Sequence, residues 1–432
     1  MILRTRIDES GHAYSIEADP HICFASTVTT FDFALKERYD DATVENLTLA
    51  DRPFFAKVTK NEDFMGESLV TPVIHGNPQG HAGAGQSTAS TNETNVLGKK
   101  FTATPGSYQS SVSIGDKVLK LSRGNPGAFL QNRLAETDGL YEQAADNLAT
   151  YTWGNGGGSL GVCASIDTET VVLTNPTDAM NFEEGMVLVG SDADGDDASD
   201  ALHSGSTYVT AVDRSAGRVT TEDISDISGF GTADFLFRQG DFFGTTGVVV
   251  IKGVQAFVAG TESPAALWGM TRTSDPQRLA GCRVPSADYS GKNIEERINI
   301  LGSYMSGRFK AKGPWDGYLH PEDWQSLSTS LQSRGIRPLK DESTKFGFMA
   351  IETVIGGQSV KIYSDRFCPK GTFFLLRMKN WTMHSPGKLI QPLNEDGLTM
   401  MRKSSNDYEF RLVSYPILMC NAPGYQGRVA LP

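Results

Sequence analysis

The sequence predicts an α+β fold built from several unequal parts, and three observations carry that reading. Two β-like runs, residues 67–74 and 96–104, flank a stretch at 75–95 where, apart from Pro78, no apolar side chain is larger than Ala. One long amphipathic pattern follows at 125–153. Short strand-like runs between turn signals come next, and after them helical and extended patterns alternate.

The two runs and their polar tip form a hairpin arm, residues 66–122. An isolated two-stranded hairpin is marginal in water. This tip, rich in Gly, Ser and Thr, has nothing of its own to bury. The arm is therefore either disordered or laid on another molecule. Residues 1–65, ahead of it, read as an extended N-terminal arm with short helical pieces, one of them at 27–39. On its return side, Ser111, Val112, Ser113 and Ile114 alternate as a half-buried strand does.

Asn125 is a favoured N-cap and Pro126 a favoured first helical residue. From there Leu130, Leu134, Tyr141, Ala145 and Leu148 fall on one stripe, with Glu136, Asp138, Glu142 and Asp146 over much of the rest. Gly154 stops the helix after Trp153. Its length would be roughly 40 Å at 1.5 Å per residue.

Residues 165–242 change character. Strands are expected at 170–173, 186–189, 208–212, 218–221 and 235–237. Asn175-Pro176, Asp194-Gly195, Ala216-Gly217 and Ser228-Gly229 mark the turns between them. That spacing predicts a small antiparallel sandwich or barrel, inserted after the long helix. Residues 248–258 read as a buried strand. Ile294, Ile298, Leu301, Met305 and Phe309 then give one helix, and Pro321, Trp324, Leu327 and Leu331 another, stopped by Gly335. Strands are expected at 346–355, 359–363 and 372–378, and in the closing segment at 398–402, 408–413 and 417–420.

Composition narrows the function classes. The chain has 432 residues, 45 of them Gly, and a net charge of −12 from 39 basic and 51 acidic side chains. No Lys/Arg cluster stands out, so a dedicated nucleic-acid surface is not expected. An acidic surface keeps a protein soluble and weakly repels DNA. The five cysteines (Cys23, Cys163, Cys282, Cys368, Cys420) are far apart and contain no C-x-x-C. This argues against a disulfide framework or a zinc site and fits a reducing cytoplasm. No signal peptide is read in residues 1–15, and no run is long enough to span a membrane.

The catalytic motifs fail on context. Gly157-Gly158-Ser159-Leu160-Gly161 matches G-x-S-x-G, but a nucleophile elbow needs a strand before it and a helix after it, and here a helix precedes. Gly156, Gly158 and Gly161 match G-x-G-x-x-G and fail in the same way. Asp192, Asp194 and Asp196 resemble the start of a calcium loop, yet position six is Asp197 rather than Gly and position twelve is His203 rather than Glu. An acidic surface turn is the simpler reading, with calcium as the alternative. His75 and His81 lie in the polar tip, where solvation is the simpler reading, and Asp396-Gly397 is a hairpin turn. No catalytic residue, cofactor or metal is assigned, and no enzyme is expected.

The order of parts resembles the major capsid proteins of tailed bacteriophages, with the Hong Kong 97-type fold and an inserted β domain. The stretches that carry the likeness are Lys99-Lys100-Phe101, the helix at 125–153, Gly185-Met186, Val212-Asp213-Arg214 and Arg238-Gln239-Gly240-Asp241. Leu279-Ala280-Gly281, Asp396-Gly397, residues 408–411 and residues 420–423 complete them. The resemblance implies an N-terminal arm (1–65), an extended E-loop hairpin (66–122), and a peripheral domain with a spine helix (123–164). It further implies an inserted β domain (165–242), peripheral strands (243–285), an α/β axial domain (286–380) and a closing peripheral segment (381–432).

It also implies function. The chain would self-assemble as hexamers and pentamers into an icosahedral shell around packaged double-stranded DNA, enclosed without sequence-specific binding. Val73, Ile74, Val96, Leu97, Lys99, Lys100, Phe101 and Tyr108 become the candidate inter-subunit contacts. A portal and a separate scaffolding protein are the expected partners, since only about 65 residues precede the arm and lack a long helical period. A decoration protein is left open. No spacing identifies a reactive Lys–Asn pair, and no crosslink is expected. The location would be the virion capsid, assembled in a bacterial cytoplasm, with no membrane. Two rival readings stand beside this one. A β-rich tail or adhesin component could bind surface glycans through residues 165–242, but it should show an export signal or a fibre pattern. A hydrolase would use Ser159.

Overall fold

The computed structural model describes residues 4–7, 13–16, 52–114, 126–247, 250–333, 339–340, 349–393, 400–402 and 408–432. The helix expected at 27–39 lies outside them. Strands β1 (Arg4–Ile7) and β2 (Ala13–Ile16) pair antiparallel. Helix α1 (Pro53–Lys57) starts on a proline and buries Phe54 among Trp153, Tyr318 and Trp381, at ring-centroid distances of 4.8, 5.6 and 5.8 Å. Strand β3 (Thr59–Asn61) follows. The arm is an antiparallel ribbon of β4 (Leu69–Gly76) and β5 (Leu97–Ala103), joined by a tip that holds one short helix, α2 (Gln86–Thr91).

After β6 (Tyr108–Ile114) comes the long helix α3, Pro126–Trp153, 28 residues. Leu130 and Leu134 lie on it, outside the residues whose side chains are described. Its second half buries Tyr141, Ala144, Ala145, Leu148, Ala149 and Thr152, a helical stripe. Asp146, expected on the solvent face, instead accepts hydrogen bonds from Arg52 Nε (3.0 Å) and Arg366 Nη2 (2.7 Å). It ties the chain entering α1 both to α3 and to Arg366.

Six strands then close a barrel in the order β10-β11-β8-β7-β12-β9. They are β7 (Ser159–Ile166), β8 (Thr170–Leu173), β9 (Val187–Ser191), β10 (Thr207–Asp213), β11 (Arg218–Thr221) and β12 (Phe235–Arg238). Five correspond to expected strands; β7 was not anticipated. It begins at Ser159, earlier than the expected start of this unit at 165. Ser159, Gly161, Ala164 and Ser165 dilute its apolar pattern, yet Leu160 and Cys163 are buried in the core.

The expected strand at 248–258 is not one. Residues 248–249 are outside the description; the rest is irregular and ends in helix α4 (Val254–Phe257). Its apolar content is explained by burial of Val250, Ile251, Val254, Phe257 and Val258. The chain turns at Gly253, where any Cβ would stand 2.4–2.5 Å from the carbonyls of Tyr151, Thr152 and Gly154. A run that caps the end of α3 this closely cannot continue as a ladder strand.

Helix α5 (Pro276–Leu279), β13 (Cys282–Arg283), α6 (Ile294–Ser303), β14 (Asp316–Leu319) and α7 (Pro321–Ser333) come next. In α6, Glu296 accepts from the Asn293 N–H at 3.1 Å, as in a capping box. A seven-stranded mixed sheet, β13-β24-β18-β14-β17-β16-β15, is completed by β15 (Leu339–Lys340), β16 (Met349–Ile355), β17 (Gln358–Ser364), β18 (Thr372–Leu376) and, at the end of the chain, β24 (Gly427–Ala430). Ile298, Leu301 and Met305 of the α6 region pack with Trp315, Ile362 and Phe373 as a second core. The strand β24 crosses the expected division at 380, because the closing segment returns to pair with β18 and β13.

Strand β19 (Trp381–His384) lies between β3 and β23 (Ile417–Cys420). The last sheet joins β20 (Gln391–Pro392) and β21 (Met400–Arg402) to β22 (Tyr408–Ser414), whose other neighbour is β6. The return side of the arm is thereby stitched into the body. Cys163, Cys282, Cys368 and Cys420 are free and buried. Among the described residues, no helix is long and apolar enough to cross a membrane.

Candidate assembly interface

The β4–β5 ribbon has two chemically different faces, and the register defines them. Leu69 pairs with Ala103, Thr71 with Phe101 and Val73 with Lys99; Val70, Pro72 and Ile74 pair with Thr102, Lys100 and Gly98. Side chains alternate across a strand, so the first set faces one way and the second the other. The inner set is packed on the chain's own body: Val73 is 3% exposed and Phe101 0%. The outer set is open, with Val70 52% and Ile74 69% exposed.

This divides the eight expected contact residues. Ile74, Val96, Leu97 and Lys100 are exposed. Val73 and Phe101 are not available to a partner, because the core under the ribbon consumes them; Phe101 meets Phe257 edge-on at 5.6 Å. Tyr108 is also withdrawn. Its buried hydroxyl accepts from Asn147 Nδ2 at 2.7 Å and from Ser110 Oγ at 3.0 Å, holding β6 against α3. Lys99 is half-buried and turned inward, donating to the Thr271 carbonyl (2.5 Å) and to Ser274 Oγ (2.9 Å). Two outward residues were missed: Val70 on the ribbon and Met65 just before it are both exposed. Val70 shares the parity of Ile74, a signal present in the sequence.

The ribbon rests on the loop between α4 and α5. Arg272, buried there, donates to the carbonyls of Ala256 (Nη1, 2.6 Å) and Ala265 (Nε, 2.8 Å). Burial pulls its guanidinium down to about 10. Arg278 of α5 reaches the ribbon and donates to the His75 carbonyl.

At the exit of α3, Gly157 and Gly158 are required by close packing. Gly158 has φ +96°, and a Cβ there would lie 1.9 Å from the Asp241 carbonyl oxygen. Gly157 N donates to Asn155 Oδ1 (2.9 Å), Asn155 Nδ2 donates to Asp194 Oδ2 (2.9 Å), and Phe243 N donates to the Gly157 carbonyl (3.0 Å). Ser159 opens β7 and is followed by strand rather than helix, so the nucleophile-elbow geometry is absent.

The acidic turn is arranged differently from the calcium expectation. Asp192 does not converge; the carboxylates that approach one another, within 4.8 Å, belong to Asp194, Asp196 and Asp200. Partial burial and the Asp194 charge raise the Asp196 carboxyl. A buried lysine lies close enough to feel their charge. Lys252 is buried, its ammonium 3.6 Å from the Phe243 ring centroid and in the field of Asp196 and Asp194. Burial lowers it to about 8, against the pull of those carboxylates.

No family model matches the chain. No curated protein matches it. Among solved structures, the chain is similar to the capsid asymmetric unit of cyanophage A-1(L), at 10% identity and a TM-score of 0.44, over 88% of this chain and 93% of that one. It is similar to the capsid of a native GTA particle at 9% identity and a TM-score of 0.42, over 95% and 99%. A virus-like particle from Pyrococcus furiosus is similar at 8% identity and a TM-score of 0.38, over 90% and 96%.

Proposed function

We propose that this chain is a shell-forming capsid protein of the Hong Kong 97 type. Copies assemble as hexamers and pentamers into a closed icosahedral shell that encloses double-stranded DNA. The observation that supports this most is where the exposed apolar side chains fall. Of the seven large exposed hydrophobic residues among those described, five (Met65, Val70, Ile74, Val96 and Leu97) belong to the arm and its entry. Clustered exposed apolar surface marks an interaction site, and the other face of the same ribbon is fixed to its own subunit.

Each arm lays its outer face on a neighbouring copy, with Lys100 at the rim. Fully burying an aliphatic side chain contributes about 1.5–3 kcal/mol. A few per arm, multiplied around a shell, hold it without any single strong contact. A stable interface buries about 1,200–2,000 Å², within reach of a ribbon of this length together with its tip. The net charge of −12 suits a container for DNA rather than a reader of it. A portal and a separate scaffolding protein complete the assembly in a bacterial cytoplasm.

Truncating the arm, residues 66–121, tests this reading. The expected result is loss of closed particles in electron micrographs. Intact particles from the truncated chain would remove the arm from assembly.

A further inference from the structure

We propose that Lys99 and Arg278 are positioning residues for the arm: they form a breakable polar latch at the outer end of a permanent apolar root. The latch is a property of one subunit, and only its consequence for assembly rests on the capsid reading.

The root is dry. Val73, Phe101 and Ala103 are buried, and Phe101 stands against Phe257. Level with Val73, and at His75 just beyond it, the inner face is held by polar contacts open to solvent. Lys99 Nζ donates to the Thr271 carbonyl and to Ser274 Oγ, and Arg278 Nη1 donates to the His75 carbonyl. The acceptors are neutral. The receiving loop is itself fixed, since buried Arg272 donates to Ala256 and Ala265, and the Asp275 side chain accepts from Arg278 N at 3.2 Å. In the tip, Gln79 N donates to Thr94 Oγ1 and Asn92 Nδ2 to the His81 carbonyl, bonds that stay inside the tip.

Water replaces a solvent-exposed hydrogen bond at small net cost. It does not replace a buried apolar contact. The end of the ribbon beyond Val73 and Phe101 therefore loosens when Lys99 and Arg278 let go. Two arm directions allow one chain to meet neighbours at different angles, as five-fold and six-fold surroundings require.

The test is hydrogen exchange on the unassembled full-length chain, comparing wild type, Lys99→Met with Arg278→Met, and Lys99→Arg. Roughly tenfold faster exchange is expected across 74–76 and 97–98 in the double variant, the scale of two ordinary exposed hydrogen bonds. The barrel strands should be unchanged and Lys99→Arg should stay close to wild type. Unchanged arm exchange in the double variant would overturn the latch. So would acceleration of the barrel equal to that of the arm, because the residues would then serve the fold at large. Micrographs of the same variants separate the two levels. Closed shells from wild type and misshapen ones from the double variant extend the latch to assembly. If wild type forms no shells, the capsid reading fails while the exchange result still decides the latch.

Discussion

Phe101 of the arm meets Phe257 of the body edge-on, with ring centroids 5.6 Å apart and planes at 73°. Phe257 in turn stands 5.6 Å from Trp381. The arm is therefore rooted in the aromatic core of its own subunit. Phe101→Ala should cost about 3–5 kcal/mol, read as a lower urea midpoint for the unassembled chain.

The opposite face of the ribbon should behave in the reverse way. Val70→Asp with Ile74→Asp changes exposed side chains, so subunit stability should move by no more than about 0.5 kcal/mol per site. Shell formation should fall sharply, because a charge is placed in a surface that must be desolvated. Denaturation and particle yield, measured on the same preparation, check both halves.

Position 158 at the exit from α3 should tolerate no side chain. Gly158→Ala meets both a positive φ and a backbone oxygen 1.9 Å from its Cβ. A loss on the order of 1–3 kcal/mol or more is expected from backbone strain alone, seen as a drop in Tm.

Asp365 gives the chain a pH signature. It is buried, accepts from the N–H groups of Phe54 (3.2 Å) and Phe367 (3.0 Å), and burial pushes its carboxyl up from 3.8 to about 6. The folded chain then holds a proton that the unfolded chain has released. Between about pH 4 and pH 6, folding takes up that proton, so this contribution to stability falls as pH rises through the window. The stability difference between wild type and Asp365→Asn should therefore shrink or turn negative from pH 3.5 to pH 7, by on the order of 2–3 kcal/mol. A flat difference across urea titrations at several pH values would place Asp365 in water-like surroundings.

Much of the fold was legible where one local rule dominates. Asn125 and Pro126 announce α3 at its start, and Gly154 marks its end. Turn residues separate the barrel strands well enough to place five of six. The rule weakens where tertiary packing decides. Residues 250–258 look like a strand because they are apolar, yet they are apolar because they cap α3 and support the arm. Strand β7 looks like a glycine-rich exit because Gly161 and Ser159 are small, and at Gly161 close packing uses that smallness: a Cβ there would meet the Leu173 and Phe182 side chains at 3.3–3.4 Å.

The candidate interface was half legible for a similar reason. Composition located the arm, but composition cannot say which face of a ribbon is turned inward. Alternation can: Val70 and Ile74 share one parity and Val73 the other. Which parity is buried is decided by Phe257 and the loop at 271–278, residues far from the arm in sequence. The acidic turn shows the same limit. Lys252, which feels the charge of Asp194 and Asp196, lies beyond the whole barrel in the chain.

Electron microscopy of the purified full-length protein is the most direct measurement. Uniform closed icosahedral shells are the predicted result. A population of small globular particles, with no closed shells under any assembly condition, would contradict the capsid reading.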